Sequence, residues 1–451
     1  MANQPPLFKH QKVSKKILAK SDIVFDMSDP GTGKTRVEIE DFASHPVVLV
    51  LATKSLLYCA WGSDIDKFAP ELVYSIATAT NRDKAFDVDA DVYITNHDAA
   101  TWLAAQPKSF WKRFQGGTLV IDESSAFKHK DSQRSKAIVK IRKNFSKVRL
   151  LSGTPNTNGI CDLWHQLYIL DGGKRLGTSF YAFRAAVCEP TQVGPSAQMV
   201  KWTDKPNAEA TVSAIISDIV IRHKFEDCVD IPANHKYSVP FHLNKRHFAA
   251  YKELEAASIL QARDSVITAI NGAALYTKLL QTASGAVYND DNSFSIIDED
   301  RYDLVLDLAE ARRNSIVFFN WQHQRDLLLK KADQRGLSFA LIDGSITKKG
   351  ERENIVEAYQ AGRYKILFAH PQSTAHGLTL TQGVATIWAS PTPNLEHYLQ
   401  GLKRIHRIGQ TEKTETIMVV APGTIEEKVY ESLLNKDAKL TALLEYLKEA
   451  A

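Results

Sequence analysis

The sequence predicts an α/β protein made of two doubly wound parallel-sheet lobes with helical insertions, and three observations carry that prediction. Short, continuously apolar runs recur in two series along the chain. Helical stretches alternate with those runs inside each series. Between the series, from about residue 160 to 300, the pattern turns polar and helical.

The first series is "VVLVLAT" (47–53), "DVYITN" (91–96), "TLVID" (118–122) and "VRLLSGT" (148–154). The second is "SIVFFN" (315–320), "FALIDG" (339–344), "YKILFAH" (364–370), "VATIWAS" (384–390) and "TETIMVV" (414–420). Runs that are apolar throughout, rather than alternating, belong to strands buried on both faces. A chain of 451 residues can fill two such cores. In the middle, "KRHFAAYKELEAASILQARDSVITAI" reads as helix and "NDDNSFSIIDED" (289–300) as a polar loop. The chain ends in a helix opened by Thr424 with Glu427 three residues on, a capping-box spacing. Leu440, Leu443, Leu444 and Leu447 then form a stripe expected to dock on the second block.

Composition narrows the function classes. Hydrophobic residues at 44% and charged ones at 24% are those of a soluble globular protein. The net charge is only +4, but "KHK" (128–130), "KIRKNFSKVR" (140–149), "NKRH" (244–247) and "KRIHR" (403–407) concentrate positive charge as a polyanion partner would require. Four scattered cysteines without a C-x-x-C pair argue against a zinc site or a disulfide framework. The start lacks an apolar signal core and no apolar run approaches about 18 residues, so no membrane span is expected and the cytoplasm is the expected site of action.

The strongest local signal is "FDMSDPGTGKTRVEIEDFA". Pro30, Gly31, Thr32, Gly33, Lys34 and Thr35 lie between an apolar run (Ile23 to Phe25) and a helical one. Glycines there let backbone N–H groups curl around phosphate oxygens, and the helix presents its positive end. Lys34 would reach the terminal phosphates of ATP and Thr35 would ligate Mg2+. Ser28 stands where the full pattern has Gly.

The run 118–122 would deliver Asp122 to the C-terminal tip of a parallel strand. Asp122 could hold the metal through water beside Thr35, and Glu123 could orient and deprotonate the attacking water. "LLSGTPNTN" (150–158) ends the next run with Ser152 and Thr154, either phosphate-sensing hydroxyls or strand terminators. Gln400, Arg404 and Arg407 fall at 0, +4 and +7, one face of a helix.

The order of these motifs resembles the Swi/Snf-type family of superfamily-two helicase-like DNA-dependent ATPases, in its compact phage and bacterial form, over nearly the whole chain. "LFKHQ" with Gln11 looks like the family's adenine-reading segment. "LVLATKSLLYCAWGSDIDKFAP", "VYITNHDAA", "VIDESSAFKHKDSQRSKAI", "LLSGTPNTN" and "DLWHQL" are similar to its next motifs. "FALIDGSITKKGERENIVEAY", "STAHGLTLTQG" and "HYLQGLKRIHRIGQ" followed by "GTIEEKV" are similar to those of its second half. Departures are Ser28, Pro30, Thr32, Ser125 in place of His, and Thr374-Ala375.

The resemblance implies two RecA-like lobes, 1–235 with an insertion at about 165–225 and 236–451 with one at about 240–300. It implies ATP and Mg2+ as cofactors, Arg404 and Arg407 as arginine fingers, and Gln400 beside the nucleotide. It implies DNA contacts at Lys54, Thr95, Asn96, Gly344 and Thr374. The expected function is ATP-driven translocation on double-stranded or branched DNA, largely blind to sequence. The expected actor is a monomeric motor in phage or bacterial replication, recombination or repair, with partner proteins from those pathways, working in the bacterial host cytoplasm if phage-encoded. An RNA helicase of the same superfamily, or a nucleic-acid-binding module with a decayed ATPase, are the alternatives.

Overall fold

The structure is a computed structural model that describes residues 6–192, 199–264, 269–289, 291, 293–346, 350–374 and 378–450, the side chains of 55, 59, 258–273 and 442–450 excepted. The chain forms two compact units, Met1–Asp230 with Lys436–Ala451, and Ile231–Asn435.

The first unit opens with helix α1 (Lys9–Lys20), strand β1 (Ile23–Asp26) and helix α2 (Lys34–Phe42). Strands β2 (Val48–Ala52), β3 (Tyr74–Ala77), β4 (Val92–Asn96), β5 (Thr118–Asp122) and β6 (Lys147–Leu151) follow. Next come a hairpin of β7 (Cys188–Gln192) and β8 (Val200–Asp204), and the two-residue strand β9 (Val220–Ile221). Seven of these make one parallel sheet in the order β3-β4-β2-β5-β6-β1-β9. Asp26 and Asp122 both pair with Leu151. The phosphate loop and the acidic box therefore leave the same sheet edge at one level, one strand apart, with the hydroxyl motif between them.

Strand β2 is buried at every residue, the doubly covered condition its apolar run implies. Strand β6 breaks that rule with Arg149, which is fully buried. Its guanidinium donates to the carbonyls of Ser21 and Leu18 at 2.7 Å each and lies 3.6 Å from Asp41. A buried cation persists only when paired and hydrogen-bonded in this way.

The second unit contains β10 (Asn234–Pro240), a hairpin of β11 (Ala286–Tyr288) and β12 (Phe294–Ile296), then β13 (Ser315–Phe318), β14 (Phe339–Ile342), β15 (Ile366–Ala369), β16 (Ala385–Trp388) and β17 (Thr414–Val420). Its main sheet is parallel, in the order β10-β17-β16-β13-β15-β14. The predicted α/β class with two doubly wound sheets is the observed one. The helical middle divides into Lys245–Asp264 and Ala269–Ala283. Ala233 and Asn234 already pair with Thr414, which sets the division slightly before the expected 235/236.

Thr424 does open the last helix, Ile425–Ala450: its hydroxyl accepts from the Glu426 N–H at 3.2 Å, and Glu427 reaches back to the Gly423 N–H at 2.9 Å. Leu440 is buried, while the side chains of Leu443, Leu444 and Leu447 lie outside the described residues. Glu426 is fully buried and takes two bonds from Arg301, at 2.8 and 2.9 Å, plus one from the Ala421 N–H. Arg301 also donates to the carbonyls of Ala389 and Ala283, so "GTIEE" anchors three segments of the second unit.

Candidate functional site

The phosphate loop leaves β1 and enters α2. Gly31 and Gly33 have φ of 90° and 82°, a region that favours glycine. At Gly33 space adds to the conformational demand, since a Cβ would lie 2.2 Å from Gln11 Nε2. Gln11 is buried over the loop, donating to the Thr32 carbonyl at 3.3 Å and accepting from the Phe8 N–H at 2.9 Å. His10 donates to the same Thr32 carbonyl at 2.8 Å, which places its proton on Nε2. Thr32 is buried and donates to the Asp29 carbonyl at 2.9 Å. Lys34, the first residue of α2, folds its ammonium onto the Ser28 and Asp29 carbonyls at 2.6 and 3.2 Å, with Thr35 next in the helix. Pro30 packs against Gly153, where a Cβ would lie 2.6 Å from Pro30 Cδ.

Ser28, the departure from the glycine pattern, is an anchor. Its N–H donates to Asp26 at 2.9 Å and its hydroxyl accepts from the His223 N–H at 3.0 Å. Asp29 takes the Arg222 guanidinium at 2.6 Å and the Phe225 N–H at 3.0 Å. Strand β9 thus lays residues 222–225 along the loop and bolts its outer side. The sequence carries no local sign of this, because the partners are almost two hundred positions apart.

At the tip of β5 the Asp122 carboxylate is buried and accepts from Trp61 Nε1 at 3.0 Å and from the Glu123 N–H at 3.0 Å. Burial pushes this carboxyl above its usual range, against the pull of the Trp61 bond and the Lys34 charge. Glu123 has φ of 50°, the only positive value at a non-glycine among the described residues. Backbone strain of this kind gathers at functional sites. The donor set fits a magnesium-bound nucleotide. A threonine hydroxyl and a carboxylate are hard oxygen ligands, and magnesium takes few protein groups when phosphates and waters complete its shell. Among the described residues no group of three or more His, Cys, Asp or Glu is placed to hold a metal by itself.

Behind the box, the Ser124 hydroxyl donates to Gln166 at 2.8 Å, and Gln166 donates to the Pro155 carbonyl at 2.7 Å. Lys128 adds bonds to Thr157 at 3.1 Å and Asp162 at 3.2 Å. The acidic box and the hydroxyl motif are therefore one hydrogen-bonded body. Ser125 is buried. Ser152 and Thr154 are also buried, the Thr154 N–H donating to the Ser152 hydroxyl at 3.2 Å. Glu38, one turn into α2, is buried too, and burial pushes its carboxyl up to about 8 despite the opposing charge of Arg149. Its position was readable, since Lys34, Glu38 and Phe42 share one helical face.

In the second unit Gln400 and Arg404 sit on the helix Leu395–Ile405 and are buried. Arg404 donates to the Gln400 carbonyl at 2.7 Å and the Leu378 carbonyl at 3.1 Å. The expectation that Arg407 shares that helical face needs correction. The helix ends at Ile405, and His406 leaves helical geometry at ψ 80° with its ring bonded to the Pro232 carbonyl at 3.1 Å. Arg407 nonetheless meets the same Leu378 carbonyl, at 3.3 Å. The Gln400 Oε1 is buried and has no hydrogen-bond partner among the described residues.

The expected nucleic-acid contacts divide. Lys54 and Gly344 are exposed, and Asn96 is half-buried. Thr95 and Thr374 are buried, with hydroxyls donating to the Ala77 carbonyl at 2.8 Å and the Pro371 carbonyl at 3.1 Å. Both hydroxyls are thus engaged within the fold. Ala375 lies outside the described residues.

Two doubly wound sheets, the first carrying a phosphate loop and an acidic box on one edge and the second an arginine-bearing helix, define a helicase-like ATPase. The chain belongs to the SNF2-related family: an SNF2-related domain matches residues 9–287 and a helicase conserved C-terminal domain matches 300–409. It is 29% identical to protein p41 of Acyrthosiphon pisum secondary endosymbiont phage 1, over 89% of this chain and 88% of that one. It is 24% identical to the human DNA annealing helicase and endonuclease ZRANB3, over 91% of this chain and 38% of that protein. An uncharacterized ATP-dependent helicase of Mycoplasma pneumoniae is also 24% identical, with 84% of this chain and 35% of that protein covered. This chain thus spans little more than a third of those two relatives. The Sulfolobus solfataricus SWI2/SNF2 ATPase core in complex with dsDNA aligns over 99% of this chain and 95% of that one, at 20% identity and a TM-score of 0.44. Among the described residues no helix is long and apolar enough to cross a membrane.

Proposed function

We infer that this chain is an ATP-driven motor that moves on double-stranded or branched DNA without reading its sequence. The observation that carries the reading is the gathering of Gly31, Gly33, Lys34 and Thr35 with Asp122 and Glu123 on one sheet edge, in a chain of the SNF2-related family.

On this reading Thr35 and Asp122 would hold Mg2+, which when bound would supply neutralisation of phosphate charge. Backbone N–H groups from Gly31 to Thr35 bind phosphate oxygens, and Lys34 exchanges its two carbonyl partners for the terminal phosphates. Gln11 reads the adenine. Glu123 orients the attacking water and takes its proton. Arg404 and Arg407 supply guanidinium charge in the transition state, and Gln400 lies with them. Lys54, Asn96 and Gly344 meet the phosphate backbone, so binding falls steeply with salt. The chain works as a monomer in phage or bacterial replication, recombination or repair, in the cytoplasm.

The test compares hydrolysis rates with no nucleic acid, single-stranded DNA, duplex, branched DNA and RNA, followed by triplex-displacement and strand-displacement assays. Duplex or branched DNA should stimulate most and triplex should be displaced. Stimulation by RNA alone would replace the reading with an RNA helicase. No turnover at saturating duplex would leave a binding module.

A further inference from the structure

Asp122 is gripped from two directions by residues of the two first-unit turns that carry the proposed DNA contacts. Trp61 Nε1 donates to Asp122 Oδ2 at 3.0 Å, with both side chains buried. His97 Nε2 donates to the Asp122 main-chain carbonyl at 2.7 Å and is buried as well. Trp61 lies in a π-helical turn, Leu57–Gly62, that follows directly on the 3-10 turn beginning at exposed Lys54. His97 follows Asn96, the last residue of β4.

Each turn therefore joins a residue proposed to meet nucleic acid, exposed Lys54 or half-buried Asn96, to an inward one fastened to the same aspartate. Trp61 also stacks on Phe42 of α2, with ring centroids 6.1 Å apart and planes within 8°. It thereby touches the helix that opens with Lys34 and Thr35. The His97 ring meets Phe127, just beyond the acidic box, edge-on at 5.2 Å. A π turn is a rare register that is frequent at functional sites.

We propose that Trp61 and His97 are positioning residues that couple nucleic-acid contact at Lys54 and Asn96 to the metal-binding aspartate Asp122. The proposal rests on the DNA-stimulated ATPase reading above. Partners that orient a metal ligand typically change metal affinity or activity by about 10- to 100-fold when removed.

Trp61→Phe keeps the ring on Phe42 and removes only the N–H. Calorimetric titration of ADP binding across Mg2+ concentrations, without DNA, should show half-saturation at about tenfold more Mg2+ than in the unaltered chain. Duplex affinity by fluorescence anisotropy should stay within about twofold, while the ratio of DNA-stimulated to basal hydrolysis falls several-fold. His97→Gln, whose amide can reach the same carbonyl, should retain stimulation, and His97→Leu should lose it. A folded Trp61→Phe with unchanged Mg2+ dependence and stimulation ratio would overturn the Trp61 role. Equal behaviour of the two His97 variants would overturn the other half. If Trp61→Phe does not fold, the His97 pair decides the proposal. If the unaltered chain shows no DNA stimulation, the functional reading fails and the coupling with it. In that case a Mg2+ shift in Trp61→Phe would leave Trp61 as an orienting partner of Asp122 only.

Discussion

Pro30 of the phosphate loop lies against the backbone of Gly153, so closely that a side-chain carbon at Gly153 would sit 2.6 Å from Pro30 Cδ and 3.2 Å from its nitrogen. Gly153 belongs to the hydroxyl motif, which is bonded through Gln166 to the acidic box. The three nucleotide-site segments therefore hold one another's shape. Gly153→Ala is expected to push the loop and the motif apart. Overpacking of this kind costs about 1–3 kcal/mol. Nucleotide affinity should weaken and the melting temperature fall together, read by ADP titration and thermal unfolding. A variant with unaltered affinity would show that the loop does not depend on this contact.

Lys34→Ala should lower hydrolysis by at least about 100-fold, the cost of removing one preorganised charge from a transition state. Duplex binding should persist, because Lys54 and the other exposed cations are untouched. The variant also leaves the carbonyls of Ser28 and Asp29 without their ammonium partner. Ser28 is buried and Asp29 half-buried, so a modest fall in thermal stability should accompany the loss. Hydrolysis at the normal rate would remove Lys34 from the site.

Glu123→Asn separates chemistry from strain. A glutamate at φ 50° is held in a left-handed conformation that costs roughly 1–2 kcal/mol. Asn tolerates that conformation far better. Hydrolysis should collapse while the melting temperature holds or rises. A clear fall in stability would mean that the Glu123 side chain also braces the fold.

What was legible in the sequence was what a short stretch decides by itself. The glycines at 31 and 33 impose the loop, and the run Thr118–Asp122 imposes a buried strand with an acid at its tip. What escaped reading depends on remote partners. Strand β3 alternates half-buried and buried residues at the sheet edge, and β9 has two residues that pair only because β1 is there. Arg149 reads as a break in an apolar strand until the carbonyls of Leu18 and Ser21 close around it. Thr95 is ambiguous in the sequence for a related reason. A hydroxyl near a strand end can face a ligand or cap a neighbouring strand, and only the position of Ala77 decides.

The two arginines should separate in their stability cost. Arg404 is buried and donates to two carbonyls, Gln400 in its own helix and Leu378, so Arg404→Ala should destabilise the second unit as well as abolish hydrolysis. Arg407 is half-buried and lies beyond the helix end, so Arg407→Ala should leave the melting temperature nearly unchanged. Its hydrolysis should fall by about 10³-fold or more, the usual weight of an arginine finger, with ATP affinity much less affected. A rate close to that of the unaltered chain would take Arg407 out of that role.

Glu38 gives the first unit a pH dependence with a definite sign. Its carboxyl is raised from 4.5 to about 8, so between those values the folded state holds a proton that the unfolded chain has lost. Stability contributed by the neutral group is therefore complete at low pH and is lost as pH rises toward about 8. His97 works in the opposite direction. Burial lowers it from 6.5 to about 4, so the unfolded chain holds the extra proton in that window and stability rises with pH there. The two slopes oppose each other on the acid side, and above pH 6.5 only that of Glu38 remains of the pair. Unfolding free energy should fall from about pH 6.5 to 8 by on the order of 1 kcal/mol per pH unit, read as a falling melting temperature. Glu38→Gln, neutral at every pH and nearly the same shape, should flatten that limb and leave the acid limb in place. If the variant and the unaltered chain lose stability equally over this range, the buried acid responsible is not Glu38.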